Sequence, residues 1–468
     1  MSTRSVEQAH LRHYGLLALF VLLLSLIGIY WRPLGQLSTL WPANAVLLGV
    51  FLRLPQLVSA PGWIAAAAGL ILADLLTGSP LLLATSLTAV NLLSVFVALR
   101  ICSSLTATQL SEMTPDALPR LFLAMLTASA AAGVSGGLVT ARLLGADPWD
   151  AKVIWGTSEL LAYIILVPCV LSAPRPRTSS ARDSLPVVAR RLAPKLIPAA
   201  SLLAAFLAGL FIGGPGVIAF PVSALLVCAL SCNLFQTSLL TLAFSLWTLL
   251  GIAFGNIAMP FDTGSTIELL SLRLGVASTA LAPIVVASVM AARERNLALM
   301  RHLAEHDPLT GLLNRRTFHQ RAQALLAADD TRGAPAAILM VDVDNFKLIN
   351  DTYGHAVGDA VLSRVARKLR ESLRSTDLCG RVGGEEFAAL IPHSTPAQIE
   401  SVTRRIHEAI RSEQLRVSDP HADHLRVSVS IGATLSQGES DDLRSMLHRA
   451  DLAMYAAKQA GRDQTRML

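Results

Sequence analysis

Gly383-Gly384-Glu385-Glu386-Phe387 follows one apolar stretch, Leu378 to Val382, and leads into another, Phe387 to Ile391. Two short apolar runs joined by glycines read as a β-hairpin. A Gly-Gly turn tolerates positive φ and has no side chains to keep a ligand off the backbone, so Glu385 is expected where phosphate comes close. Upstream, Ala336 to Val341 reads as a buried strand running into Asp342-Val343-Asp344. Carboxylates from neighbouring strands would repel a nucleoside triphosphate unless a divalent cation lay between them. The two acidic clusters therefore read as one metal-nucleotide site.

Other residues accompany this pair in a fixed order. Asp307-Pro308-Leu309-Thr310-Gly311-Leu312-Leu313-Asn314-Arg315-Arg316 comes first, and Phe346, Lys347, Asn350, Asp351, Gly354, His355, Gly358 and Asp359 come after the first acidic cluster. Arg374-Ser375-Thr376-Asp377 precedes the hairpin, and Ser428-Val429-Ser430-Ile431-Gly432, Tyr455-Ala456-Ala457-Lys458 and Gly461-Arg462 come after it. In this order and spacing, the chain from about Arg301 onward resembles the GGDEF family of diguanylate cyclases.

The resemblance implies a ferredoxin-like α/β fold, similar to nucleotide-cyclase palms, over residues 307–468. It also implies synthesis of cyclic di-GMP and pyrophosphate from two GTP. On it, Asp342, the main-chain carbonyl of Val343 and Glu385 hold Mg²⁺ or Mn²⁺, and Glu385 takes the hydroxyl proton, with Glu386 in support. Lys347 matches the lysine that stabilises phosphate, while Lys458 and Arg462 match the basic pair on the β- and γ-phosphates. Guanine offers N1–H and N2–H donors beside the O6 acceptor. Asn350 and Asp359 match the pair that reads it, with His355 on the same loop. Arg374 and Asp377 match the inhibitory product site, where arginine grips phosphate or a guanine edge and the carboxylate accepts from the base. The weighed alternative for that pair is a surface ion pair at the end of an Ala360 to Leu373 helix. Two departures stand out: Glu385 where the family name has Asp, and Gly461-Arg462-Asp463 where the family carries Gly-Arg-Asn. Because each GTP must attack the other, two sites have to face one another, which calls for a homodimer.

Composition accounts for the rest of the 468 residues, of which 53% are hydrophobic. A mean hydropathy of +0.52 is too apolar for an ordinary soluble enzyme. Residues 1–292 hold 15 of the 39 basic and 10 of the 33 acidic side chains, leaving 24 and 23 beyond them. The later part is thus nearly neutral, and the pI of about 9.3 gives no argument for nucleic-acid binding.

Long apolar runs near Tyr14–Tyr30, Leu40–Leu54, Gly62–Thr77, Pro80–Leu99, Leu121–Ala141 and Val153–Ser172 read as membrane spans. Four more lie near Leu196–Ile212, Gly216–Ser231, Thr237–Gly255 and Ser265–Ala292, giving eight to ten spans and a partner in membrane lipid. Arg175, Arg177, Arg182, Arg190, Arg191 and Lys195 form the strongest basic loop, which places it in the cytoplasm. An even count puts both termini there as well, with the Asp262 loop and the Gly213-Gly214-Pro215 turn outside. Tyr30-Trp31-Arg32 after the first run offers no small-residue cleavage site, so that run is read as an uncleaved span. The five cysteines show no zinc spacing and are assigned no chemistry.

Leu40-Trp41-Pro42-Ala43-Asn44-Ala45, Asn91, Trp155, Pro168 and the charged exit from the last span resemble the MASE type one sensor domain. Asp74 and Glu159 are ionisable groups within apolar runs, to be read as a ligand-sensing pocket or as interhelical hydrogen bonding. The division expected is a sensor over 1–292, a helical linker over 293–306 and a catalytic domain over 307–468. In the linker, Leu297, Met300 and Ala304 share an a, d, a spacing that suits a paired stalk, against a lone helix packed on its own domain through Leu297 and Leu303. Two other classes of function remain in view: a non-catalytic receptor for cyclic di-GMP, and a transporter built on the spans alone.

Overall fold

The computed structural model describes residues 3–30, 40–174, 196–212, 214–257, 265–327, 335–412, 425–436 and 441–468. The chain divides into two units, Met1–Arg295 and Asn296–Leu468. The basic loop of residues 175–195, Gly213 and the Asp262 segment fall outside the described residues.

The first unit is helical: α1 (Thr3–Tyr30), α2 (Pro42–Arg53), α3 (Ala60–Leu76), α4 (Leu81–Cys102), the short α5 (Ala107–Glu112), α6 (Leu118–Leu144) and α7 (Pro148–Ser172). Then come α8 (Leu196–Ile212), α9 (Phe220–Ser231), α10 (Leu234–Ala253) and α11 (Thr266–Glu305). Six described helices are long and apolar enough to cross a membrane, and four more are apolar but shorter. Outward residues such as Leu123, Leu126, Val134 and Leu138 on α6 are exposed and apolar, as a lipid environment favours. Small residues allow the inner faces to close: Gly133, Gly136 and Gly137 of α6 lie against Lys152, Trp155 and Gly156 of α7. All five cysteines are free.

α11 is one continuous helix from the last apolar run through the expected linker. Leu297 and Leu303 are 42% and 57% exposed. The lone-helix reading, in which these two side chains pack on their own domain, is therefore not what the chain does.

The second unit is an α/β sandwich. Its elements are β1 (Leu313–Asn314), α12 (Arg315–Ala327), β2 (Ala337–Val343), α13 (Phe346–Tyr353), α14 (His355–Ser372), β3 (Leu378–Arg381) and β4 (Glu386–Ile391). α15 (Pro396–Arg411), β5 (Val429–Leu435), α16 (Leu443–Gln459) and β6 (Thr465–Met467) complete it. The sheet order is β1-β3-β4-β2-β5-β6, with β2 antiparallel to both β4 and β5. The helix expected over Ala360 to Leu373 begins earlier, at His355, directly after Gly354 at φ 84°.

β2 is buried along its whole length because helices cover both sheet faces. Its alternate residues Ala337, Leu339, Val341 and Val343 join one core with α14 and α15. Ile338 and Met340 join the other, with α12 and α16. The two-residue period then puts Asp342 on the α16 side at the strand end. Gly432 on β5, paired with Met340, lets α16 approach: a Cβ there would lie 2.0 Å from the Ala450 carbonyl oxygen and 2.2 Å from the Met454 amide nitrogen. Both are backbone atoms, so neither can swing aside. Gly432→Ala is accordingly expected to cost about 3 kcal/mol or more and to lower hydrogen-exchange protection selectively across β5 and α16 of the full chain.

Candidate active site

Asp342 pairs across the sheet with Glu386 on β4, and the main-chain N–H of Val343 donates to the Glu385 carbonyl at 3.3 Å. The junction of β2 with the hairpin thus collects three carboxylates. Burial first, and Glu385 and Glu386 after it, push the Asp342 carboxyl up to about 6 against the downward pull of the Lys458 ammonium. Lys458, in the last turn of α16, sits 2.7 Å from Asp342 Oδ2. The close packing of α16 on Gly432 brings it there.

Local turns shape the hairpin. Neither Gly383 nor Gly384 adopts the positive φ that a Gly-Gly turn tolerates. The requirement is space instead. A Cβ on Gly383 would lie 2.3 Å from Glu386 Oε2, whereas Gly384 has nothing within 4 Å and leaves its backbone open. Arg381 fixes the turn: its Nε and one terminal nitrogen donate to the Gly384 carbonyl at 3.0 and 2.6 Å, and the other terminal nitrogen donates to Asp307 at 3.2 and 3.3 Å. Asp307 also accepts from the Thr310 N–H and hydroxyl. Partial burial raises its carboxyl, and these hydrogen bonds outweigh that and leave it below the ordinary range. Sequence reading missed Arg381. The only signal for it was an arginine at a strand end with no local partner.

Asp344 has a separate job. Its oxygens accept from Ser430 Oγ at 2.6 Å, Ser428 Oγ at 2.7 Å and the Asp463 N–H at 3.0 Å. That last bond tethers the segment after α16, where Gly461, Arg462 and Asp463 stand at φ 111°, 64° and 47°. Two successive non-glycine residues in the left-handed region need outside support. It comes from Arg411, whose Nε donates to the Asp463 carboxylate at 2.9 and 3.0 Å and whose terminal nitrogen donates to the Asp463 carbonyl. The Asp that departs from Gly-Arg-Asn is therefore held in an ion pair, and Arg462 is presented on an exposed turn.

Lys347 is exposed in the first turn of α13, and Asn350 lies one turn on. Asn350 Oδ1 is buried without a hydrogen-bond partner and lies 1.9 Å from where a Cβ of Gly358 would be. Gly358 and Asp359 on α14 are thus brought beside Asn350, and His355 is exposed at the start of that helix. Arg374 and Asp377 occupy the turn between α14 and β3. Asp377 accepts from the Arg374 main-chain N–H at 2.7 Å, and the Arg374 side chain is exposed. The aspartate caps the turn, so the surface ion pair is not the arrangement found.

Among the described residues no three His, Cys, Asp or Glu side chains form a metal cluster. Of the three carboxylates at the junction, Asp342 and Glu385 are the two that the family resemblance names as metal ligands. Their mutual repulsion, and the ammonium already drawn to Asp342, fit a place for a hard divalent cation with oxygen ligands.

Residues 304–464 match the diguanylate cyclase GGDEF domain. This part of the chain is a GGDEF domain. The chain is similar at 27% identity to a probable diguanylate cyclase, DgcF of Escherichia coli O157:H7, over 99% of its own length and 96% of the relative's. The GGDEF domain is 38% identical to part of the response regulator PleD of Caulobacter vibrioides, over 36% of this chain and 37% of PleD. Among solved structures it resembles the coiled coil and GGDEF domain of DgcB from Caulobacter crescentus in complex with c-di-GMP. That match has 28% identity and a TM-score of 0.36, and covers 38% of this chain and 92% of the other.

The raised carboxyl of Asp342 has a stability consequence for the GGDEF domain. An unfolded aspartate titrates near about 3.9, so the folded state disfavours the charge, and stability falls as pH rises from there through about 6. Asp342→Asn is expected to raise the melting temperature in metal-free buffer at pH 7.5, and the gain should shrink steadily as the pH is lowered toward 4. A thermal melt across that pH range measures it.

Proposed function

We propose that the chain is a membrane-bound diguanylate cyclase that condenses two GTP into cyclic di-GMP and two pyrophosphates as a homodimer. The observation that carries this reading is the junction of β2 and β4, where Asp342 and Glu385 meet under the Lys458 ammonium. Each GTP lies with its base at Asn350 and Asp359, helped by His355. The unpartnered Asn350 Oδ1 is an acceptor suited to a guanine N–H. Lys347, Lys458 and Arg462 take the phosphates. Bound Mg²⁺ or Mn²⁺, held by Asp342, Glu385 and the Val343 carbonyl, supplies charge neutralisation there. Glu385 accepts the proton of the 3′-hydroxyl, the new O–P bond forms at the α-phosphorus of the other GTP, and the bond to pyrophosphate breaks. The name of the DgcF relative supports the same activity.

The core order β2-α14-β3-β4-α15-β5 supports the ferredoxin-like, palm-like reading. The six long apolar helices support a sensor of the MASE type one kind over residues 1–292, seated in the bacterial inner membrane with both termini in the cytoplasm. Residues 293–306 act as a signalling stalk to a catalytic domain over 307–468. Product feedback works through Arg374, whose exposed guanidinium suits a phosphate or a guanine edge, and through Asp377.

With GTP and Mg²⁺, Glu385→Ala is expected to lower cyclic di-GMP formation by about 100-fold or more, with circular dichroism unchanged. Arg374→Ala should keep the initial rate and lose inhibition by added product. Near-normal turnover in the first variant would remove the site assignment, and unchanged inhibition in the second would remove the feedback site.

The continuous α11 yields a further expectation. Two residues inserted after Arg295 rotate the downstream part of the helix by roughly 200° about its axis, and seven nearly restore the original face. Cyclic di-GMP output in membranes should therefore vary with helical period across insertions of one to seven residues. A flat series would make the stalk a passive tether.

A further inference from the structure

The helical unit contains a cavity of ≈ 110 Å³ that plays no part in the chemistry of the GGDEF domain. Its polar lining includes Trp41, Asp74, Asn91, Trp155, Ser158 and Glu159. Leu83 and Leu87 form an apolar wall. On α4, Leu83, Leu87 and Asn91 repeat every four residues, so the cavity runs along one helix face for roughly 12 Å. Ser79, just before α4, and Leu144, the last residue of α6, also line it, which puts its mouth at that end of the helices. The end of α7 bearing Ser172 and leading to the basic loop lies the other way. By the charge bias of that loop, the cavity faces the side of the membrane away from the cytoplasm.

Its chemistry is one-sided. Asp74 and Glu159 are 7% and 2% exposed, and no Lys or Arg is among the lining residues. Glu159 is held in place by Asn44 Nδ2 at 2.9 Å and Ser94 Oγ at 2.8 Å, and the same Asn44 nitrogen donates to Asn91 at 3.0 Å. These partners are neutral. A carboxylate buried among neutral partners in an apolar helical unit is costly unless a positive charge compensates it. The indole N–H groups of Trp41 and Trp155 are buried with no hydrogen-bond partner. Two indoles offer ring faces that attract ammonium groups and N–H donors that seek an acceptor.

We propose that this cavity binds a small organic ammonium compound that also bears a hydrogen-bond acceptor. The cationic head lies between the Asp74 and Glu159 carboxylates and the indole faces. The acceptor, a hydroxyl or carboxylate oxygen, satisfies a Trp N–H. The size allows on the order of seven to ten water-sized centres, a molecule comparable to an amino alcohol or amino acid. Occupancy reaches the output helix through a short path: Ile154 lines the cavity, and its carbonyl accepts from Arg273 of α11 at 2.9 Å.

The test uses the full chain in lipid nanodiscs and isothermal titration calorimetry, so the readout does not depend on the cyclase reading. The probes are ethanolamine and choline, with ethylene glycol and 3,3-dimethylbutan-1-ol as neutral counterparts of similar shape. The expected result is one saturable site per chain for at least one ammonium probe, with binding at least tenfold weaker for its neutral counterpart. Glu159→Gln and Asp74→Asn should each weaken that binding at least tenfold, and Trp155→Leu should weaken choline most. No binding by either cation, equal binding of the neutral counterparts, or displacement of the heat signal by Na⁺ alone would overturn the proposal. The comparison between each cation and its neutral counterpart in the unaltered protein decides the matter even if a variant fails to fold.

Discussion

A carboxylate at the end of a fully buried strand is the constraint around which the GGDEF domain is arranged. Asp342 lies where alternation along β2 points it toward α16, in a place that disfavours its charge. What stabilises it is Lys458, and Lys458 reaches it because Gly432 lets the backbone of α16 descend onto the sheet. The glycine is a packing requirement that brings the two side chains together. The remaining parts hold the ends of the same strand array: Arg381 ties the hairpin to Asp307, and Asp344 ties β2 to the turn that carries Arg462.

The helical unit solves an opposite problem with similar means. Its outward surface is apolar, so polar groups turn inward and bond to one another, as Asn44, Asn91, Ser94, Tyr163 and Glu159 do. That network runs along one side of a cavity instead of filling it. Glycines on α6 bring Trp155 of α7 close while leaving room in front of the indole.

Much of the GGDEF domain was legible in the sequence because its signals are local. The β2 run, the hairpin and the acidic residues at their ends each announce themselves within a few positions. What could not be read depends on distant partners. Arg381 looks like any arginine until Asp307, 74 residues away, is beside it. Asp463 looks like a departure from a motif until Arg411 closes on it. Gly383 and Gly384 could have accommodated a positive φ, yet neither adopts one: the first makes space for Glu386 and the second leaves the backbone bare. The start of α14 was misplaced because Gly354 permits one helix to succeed another almost at once. In the helical unit, apolar runs gave the helices, but whether Asp74 and Glu159 shared a space was a question of packing.

The contact between Lys458 and Asp342 means that the resting site already contains a tethered cation. At the proposed metal site, a divalent ion arriving alone would have to compete with an ammonium that cannot diffuse away, and tethering gives that ammonium a high effective concentration. A bound nucleotide would change the contest by offering the lysine a second anion. On the proposed reading, the same side chain would serve as a placeholder in the idle site and as a phosphate contact in the loaded one, which would favour joint arrival of metal and nucleotide over capture of stray metal.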